Sequence, residues 1–145
     1  MSGYADTGFL CSLYAPDAHS GRAISSMKRH SAALEFTWIH QLEFRNALRL
    51  RVFRREITTS QRDASLNLLL ADLAAGILTH ASPSLPDVMT EAERLSATHS
   101  EKLGTRSLDI LHVAAALVLG STVFFTFDKR QAKLGKAAGL KVRTP

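Results

Sequence analysis

Four acidic side chains occupy positions from which they could act together on a metal ion. Asp6 and Asp128 each follow a short apolar, strand-like run, and Glu43 comes after a third such run. Asp109 lies within the almost wholly apolar helical stretch 108–119. Acids that follow parallel strands meet at one edge of the sheet, where like charges are costly unless a cation binds them. The pattern predicts a site for a hard divalent metal that acts on a phosphate-bearing substrate.

Each acid also has a simpler structural explanation. Asp109 can be neutralised by Arg106 or hydrogen-bonded to His112, since each lies three residues away on the same helical face. Asp128 can cap the helix that follows it. The other two acids can be a turn residue and a member of a surface ion pair. Each explanation is reasonable alone, but their coincidence at one sheet edge favours the metal site.

Three or four carboxylates around a small space supply the oxygen ligands that Mg²⁺ or Mn²⁺ prefers. Such an ion activates a bound water and offsets charge on the leaving oxygen. Thr7 and Thr126 adjoin the acids and can add hydroxyl contacts, although ordinary strand-end hydrogen bonding is the simpler explanation for both. The six histidines lack metal-ligand spacing, and no Walker, dinucleotide or G-x-S-x-G motif is present.

The charge distribution favours a polyanionic partner. The net charge is +5, and residues 22–62 contain nine Lys/Arg but only three acids. Residues 102–145 carry eight Lys/Arg and only two acids, which are Asp109 and Asp128, whereas the surplus acid lies between these stretches. A positive surround concentrates a polyanion near the acids. A solvated basic surface explains the charge equally well.

Composition predicts a globular protein in a reducing compartment. The 145 residues are 46% apolar, which suits one folded domain over residues 1–145. Cys11 is the only cysteine, so no disulfide can form within the chain, and we expect it to be a small apolar residue of the first helix. No membrane-spanning run or signal-peptide profile is evident. We therefore expect a cytoplasmic protein without a membrane partner.

Hydrophobic periodicity predicts alternating strands and helices. Strand-like runs lie at 3–6, 34–39, 77–81, 121–127 and 140–142, and helical patterns fill the segments between them. This order favours right-handed crossovers and a parallel sheet of about five strands. Two helices fit between the second and third strands and again between the third and fourth. The expected fold is a three-layer α/β/α sandwich with paired helices in these crossovers.

Four segments together resemble a known family, the PIN domains, and within it the VapC-type ribonuclease toxins of bacterial toxin–antitoxin pairs. They are Tyr4-Ala5-Asp6-Thr7, Leu42-Glu43-Phe44-Arg45-Asn46-Ala47-Leu48, Ser107-Leu108-Asp109-Ile110-Leu111-His112-Val113-Ala114-Ala115-Ala116 and Thr126-Phe127-Asp128-Lys129-Arg130-Gln131. The resemblance extends over essentially the whole chain. It departs from the family at Gly8, where a serine is common.

The resemblance implies an endoribonuclease that depends on Mg²⁺, with Mn²⁺ able to substitute. It implies that Asp6, Glu43, Asp109 and Asp128 are the catalytic and metal-binding acids. It further implies a homodimer and a small cognate antitoxin that inhibits the enzyme near these acids.

The basic residues of the Glu43 helix are our candidates for substrate contacts. Arg45 and Arg49 share one helical face and are predicted to bind RNA phosphates, although a solvated basic helix is an equal alternative. Two other functions stay open at this point. A PIN-like module could bind RNA or protein without cutting, and a small-phosphate hydrolase of another α/β family would need a second acid near Asp6, which Thr7 and Gly8 do not supply.

Overall fold

A five-stranded parallel sheet forms the centre of the protein. The computed structural model describes residues 2–145. The strands run in the spatial order β3-β2-β1-β4-β5, and every pairing is parallel. They are β1 (Gly3–Ala5), β2 (Leu34–Phe36), β3 (Leu78–His80), β4 (Val123–Phe125) and β5 (Lys141–Arg143). The predicted parallel α/β fold is confirmed.

Helices cover both faces of this sheet, because the central strands are apolar on both sides. One core cluster packs the sheet against α1 (Thr7–Tyr14), α2 (Ser20–Lys28), α3 (Trp38–Phe53) and α4 (Thr59–Ala74). The other packs it against α5 (Leu85–Leu95), α7 (Ser107–Leu119) and α8 (Lys129–Ala137). A π-helical segment (Ser96–Ser100) and the short α6 (Glu101–Leu103) join α5 to α7. The predicted helix pairs lie between β2 and β3 and between β3 and β4.

The second strand is shorter than its apolar run predicts. Strand β2 ends at Phe36. Trp38 and Ile39 are not the last residues of this strand but lie in the first turn of α3. Thr37 is the N-cap of this helix, and its backbone N–H donates to His40 Nδ1 at 3.0 Å. This reciprocal cap outweighs the strand preference of the bulky side chains, so Glu43 is positioned by a helix and not by a strand end.

The register of the two central strands determines where the predicted acids emerge. Ala5 of β1 lies opposite Phe125 of β4, so the segments that follow both strands leave the sheet at the same edge. Asp6 follows the first strand directly, and Asp128 follows the second after a short turn. This juxtaposition is the one that the strand-end argument requires.

None of the helices between residues 2 and 145 combines the length and the apolar character needed to cross a bilayer.

Candidate active site

The four predicted acids line one cleft at the carboxyl edge of the sheet. The cleft has a volume of about 420 Å³. Asp6 comes from the β1–α1 junction, Glu43 from α3, Asp109 from α7 and Asp128 from the start of α8. Four elements that are distant in the chain therefore bring one acid each to a shared space. Thr7 also lines the cleft, whereas Thr126 lies beneath it.

Asp6 is buried and hydrogen-bonded through both of its carboxylate oxygens. Its Oδ1 caps α1 by accepting the Phe9 N–H at 2.8 Å, and its Oδ2 accepts the hydroxyl of Thr126. Burial raises the pKa of Asp6, and the hydrogen bonds from Thr126 and Phe9 offset only part of that rise. Ionisation of Asp6 is therefore less favourable than in water, and a cation in the cleft would stabilise the ionised form.

Asp109 and Asp128 share one arginine as their counter-ion. The Nε of Arg106 donates to Asp109 Oδ2 at 3.1 Å, and its Nη2 lies 3.6 Å from Asp128 Oδ2. Asp128 also caps α8, because its Oδ1 accepts the backbone N–H groups of Arg130 and Gln131 at 2.7 and 3.0 Å. The structural roles expected from sequence for these acids are thus realised. Each acid nevertheless keeps an oxygen directed to the cleft side, where the guanidinium binds.

Glu43 belongs to a second hydrogen-bonded group in the cleft. Its Oε1 accepts from Thr7 Oγ1 at 2.9 Å and from Nε2 of the buried His112. The Nδ1 of His112 lies 2.8 Å from the hydroxyl of Tyr4. Burial raises the pKa of this hydroxyl well above its ordinary value. Tyr4 therefore keeps its proton, and its O–H donates a hydrogen bond to Nδ1. The proton of His112 is then on Nε2, which donates a hydrogen bond to Glu43.

These contacts separate the pKa values of two neighbouring acids. Burial alone would raise the pKa of Glu43, but the hydrogen bonds from His112 and Thr7 outweigh it and lower that pKa. The pKa of Asp6 is shifted in the opposite direction. A pair of carboxyl groups with divergent pKa values is a common arrangement of catalytic sites.

Whether the cleft fits a metal depends on these existing contacts. As the side chains stand, no three His, Cys, Asp or Glu residues between positions 2 and 145 are grouped closely enough to hold one ion. Each acid is instead directed to a protein donor, and Arg106 lies between two of them. The donor set still fits a hard cation, because it consists of four carboxylates in one cleft. Arg106 can leave readily, since 64% of its side chain is exposed.

Solved structures share the fold of this chain over nearly its whole length. VapC20 of Mycobacterium tuberculosis, described as a Sarcin-Ricin loop cleaving toxin, has 18% identity and a TM-score of 0.68 over 95% of each chain. VapBC-1 of nontypeable Haemophilus influenzae has 15% identity and a TM-score of 0.69 over 99% of this chain and 97% of that one. VapBC2 of Rickettsia felis, solved with a fragment of promoter DNA, has 15% identity and a TM-score of 0.66, covering 99% and 98%.

The chain has the PIN-domain fold of the VapC toxins. Coverage of nearly the whole length of both chains excludes a match limited to the central sheet. No protein-family model matches the sequence, and no curated protein sequence matches it significantly. The fold is thus recognised through backbone geometry and through the spacing of a few residues.

The predicted RNA-binding arginines lie outside the PIN-domain cleft. Arg45 and Arg49 of α3 line a separate hollow together with the ion-paired Arg62 and Asp63. Their contact with RNA stays a prediction. Cys11 lies on α1 and also lines the acid cleft, but burial raises the pKa of its thiol to about 12. The expectation that it is not a nucleophile therefore agrees with its surroundings.

Three residues of the site were underestimated by sequence reasoning. Arg106 and His112 were considered only as structural partners of Asp109, yet Arg106 also reaches Asp128, and His112 contacts Glu43. Tyr4 is predicted only as part of the first strand and of the family-like segment Tyr4-Ala5-Asp6-Thr7. The spacing of Arg106 and His112 around Asp109 was visible in the sequence, but their second partners lie far away in the chain.

Proposed function

We propose that the protein is a metal-dependent endoribonuclease of the VapC type, which hydrolyses RNA phosphodiester bonds with water. The single observation that carries this proposal is the convergence of four acids, each from a different element, on one cleft of a PIN-domain fold. The nearby basic stretches suit a polyanionic substrate. The Sarcin-Ricin loop activity of VapC20 supports RNA as the substrate class.

The residues that would hold Mg²⁺ or Mn²⁺ are Asp6, Glu43, Asp109 and Asp128. A bound ion would lower the pKa of a water molecule and offset charge at the phosphate. Glu43 is the acid whose pKa is lowered, so it is ionised at neutral pH and can take the proton of the attacking water. The water oxygen adds to phosphorus, the P–O bond to the leaving strand breaks, the leaving oxygen takes up a proton from solvent, and Glu43 returns its proton to solvent.

Arg106 has two roles in this proposal. Without metal its guanidinium neutralises Asp109 and Asp128, which limits the repulsion among the acids. If a divalent ion were held by these carboxylates, the guanidinium would be released beside the cleft and could bind a phosphate oxygen of the substrate. Exposure of its side chain makes this exchange inexpensive.

A small antitoxin and a second copy of the chain are the proposed protein partners. Toxin–antitoxin complexes among the structures of the same fold support the antitoxin. Several large apolar side chains are also exposed, and such surface commonly marks protein contacts. They include Leu42, Phe53, Leu68, Leu85, Met89 and Leu108. The proposed place of action is the cytoplasm, where substrate RNA and antitoxin are present.

Substitution of one acid by its amide tests the proposed chemistry. We expect Asp109→Asn to abolish RNA cleavage in Mg²⁺ or Mn²⁺, because the amide supplies no charge to the cation. Asp87→Asn is the matched control, since Asp87 is an exposed acid of α5 far from the cleft. Cleavage of a structured RNA would be followed on gels with each metal and with chelator, and circular dichroism would verify folding. Cleavage by Asp109→Asn at the parental rate would contradict the assignment.

A non-cleaving RNA- or protein-binding module is the second candidate. The observation in its favour is that the acids are already satisfied by Arg106, His112 and hydroxyl groups as they stand. The same experiment separates the two functions. RNA products that exceed the molar amount of protein, and that require metal, exclude a module that only binds.

A further inference from the structure

A chain of hollows leads from the acid cleft across α8 to the end of β5. The acid cleft and a second hollow of about 540 Å³ share His19 and Phe127 in their walls. The second hollow shares Thr144 and Pro145 with a third, of about 530 Å³, which lies between α2 and β5. The three hollows thus adjoin one another in a row, which we call the groove and which begins at the proposed catalytic acids.

Basic side chains line this groove beyond the acid cleft. Six cations, which we call the basic track, contribute to the second and third hollows: Arg22, Arg29, Lys129, Lys133, Lys136 and Arg143. All six are exposed. Within residues 2–145 none of them forms an ion pair, and no Asp or Glu side chain lines either hollow. Positive charge in the track is therefore free to bind an anion.

The three lysines of α8 form a regular stripe. Lys129, Lys133 and Lys136 are separated by four and three residues, so they lie on one helical face. The opposite face is held against the sheet, where Gly135 permits a close approach: a Cβ there would lie 2.9 Å from Val142. The stripe spans roughly 10 Å at a rise of 1.5 Å per residue. That length is enough for more than one phosphate contact along a single strand.

An aromatic platform stands where the track meets the acid cleft. The ring of His19 stacks on Phe127, with centroids 4.5 Å apart and an interplanar angle of 15°. The guanidinium of Arg22 lies 5.5 Å from the centre of the same Phe127 ring and hydrogen-bonds to His19 at 2.6 Å. Flat surfaces of this kind stack unpaired bases, which a double helix keeps hidden.

From these features we infer that the basic track binds the single-stranded RNA segment that flanks one side of the cut bond. The inference rests on the proposed ribonuclease function and extends it to a substrate path. Phosphates of the segment lie along the α8 stripe toward Arg29 and Arg143, and its base nearest the cut stacks at His19. Lysine is depleted in protein–protein interfaces but is common in phosphate contacts, so the stripe suits RNA better than an antitoxin.

The size of the effect follows from counterion release. For a single strand each neutralised phosphate adds about 0.7 to the slope of log affinity against log salt. Loss of two contacts should reduce that slope by about 1.4, and at 0.1 M salt this corresponds to about 25-fold weaker binding. Residues at the surface can be changed to glutamine without affecting the core.

The test compares two double variants that remove the same charge from different faces. Lys133→Gln with Lys136→Gln alters the basic track, and Arg45→Gln with Arg49→Gln alters α3, which carries the rival RNA-binding prediction. Both are made in full-length Asp109→Asn protein, in chelator, so that RNA is not consumed. Fluorescence anisotropy with labelled single-stranded oligoribonucleotides at several salt concentrations gives affinity and slope, and thermal melting verifies that each variant is folded.

A loss of affinity for the track variant at least fivefold greater than for the α3 variant, with the larger fall in slope, supports the inference. An equal or smaller loss overturns it. It is also overturned when the track variant keeps its RNA affinity and loses only its binding to polyglutamate, since that result assigns the track to an acidic protein. Failure of the proposed catalysis is distinguishable, because it removes metal-dependent cleavage by the parental protein without altering this comparison.

Discussion

Replacement of Thr126 by valine tests how much the hydroxyl of Thr126 stabilises the buried carboxylate of Asp6. The Thr126 hydroxyl donates to Asp6 Oδ2 and accepts the backbone N–H of Asp128 at 2.9 Å. Valine keeps the shape of threonine and removes both hydrogen bonds. Because Thr126 is fully buried, water cannot readily replace the lost hydroxyl.

The expected cost can be summed from these two contacts. A hydrogen bond to a charged group contributes about 1.5–3 kcal/mol, and the bond from Asp128 contributes about 1 kcal/mol. We therefore expect Thr126→Val to lower the free energy of unfolding by about 3 kcal/mol. Thr126→Ser is the matched control, since it keeps the hydroxyl and loses one buried methyl group, at a cost of about 1 kcal/mol. The valine variant should be about 2 kcal/mol less stable than the serine variant.

Urea unfolding in metal-free buffer measures this difference. The hydroxyl lowers the pKa of Asp6, so its removal raises that pKa further and destabilises the ionised form. The difference between the two variants should be largest well above the Asp6 pKa and should shrink as the pH falls and Asp6 becomes protonated. Equal stability of the two variants at about pH 8, or a difference that does not change with pH, would refute this reasoning.

Two further variants probe the charges of the cleft. Burial raises the pKa of Asp6, so the metal-free protein should lose stability as the pH rises through that pKa. In urea unfolding, Asp6→Asn should lack this loss. Parallel pH profiles of stability for the parental protein and the variant would contradict the prediction. Arg106→Gln removes the cation that competes for Asp109 and Asp128, so calorimetry should show tighter Mn²⁺ binding. Arg94→Gln, a matched exposed arginine on α5, should leave the Mn²⁺ affinity unchanged, and equal affinities of the two variants would refute the competition.

Residue types at strand ends were enough to predict much of the fold and the edge at which the acids meet. Asp6 and Asp128 follow buried apolar runs that cannot easily be anything but central strands of a parallel sheet. Once β1 and β4 are neighbours, their following residues must share an edge. Asp109 was recognisable because a carboxylate within an apolar helix needs a partner.

Boundaries and second partners were not predictable in the same way. Trp38 and Ile39 favour a strand locally, and only the cap formed by Thr37 and His40 assigns them to a helix. The contact of His112 with Glu43 joins residues 69 positions apart, so no local pattern contains it. The sequence predicts a helical pattern between the fourth and fifth strands, but the role of this helix as the wall of a groove depends on β5 and α2.

The hydrogen bond between Thr126 and Asp6 spans 120 positions of the chain. A ribosome-bound chain whose α7, β4 and α8 segments have not yet emerged exposes Asp6 and Glu43 but neither of the other two acids. The cleft is therefore complete only after the segments that carry Asp109 and Asp128 have left the exit tunnel. If the protein degrades RNA, a nascent chain that stops short of these segments lacks two of the four acids and should not cut the RNA of the ribosome that makes it.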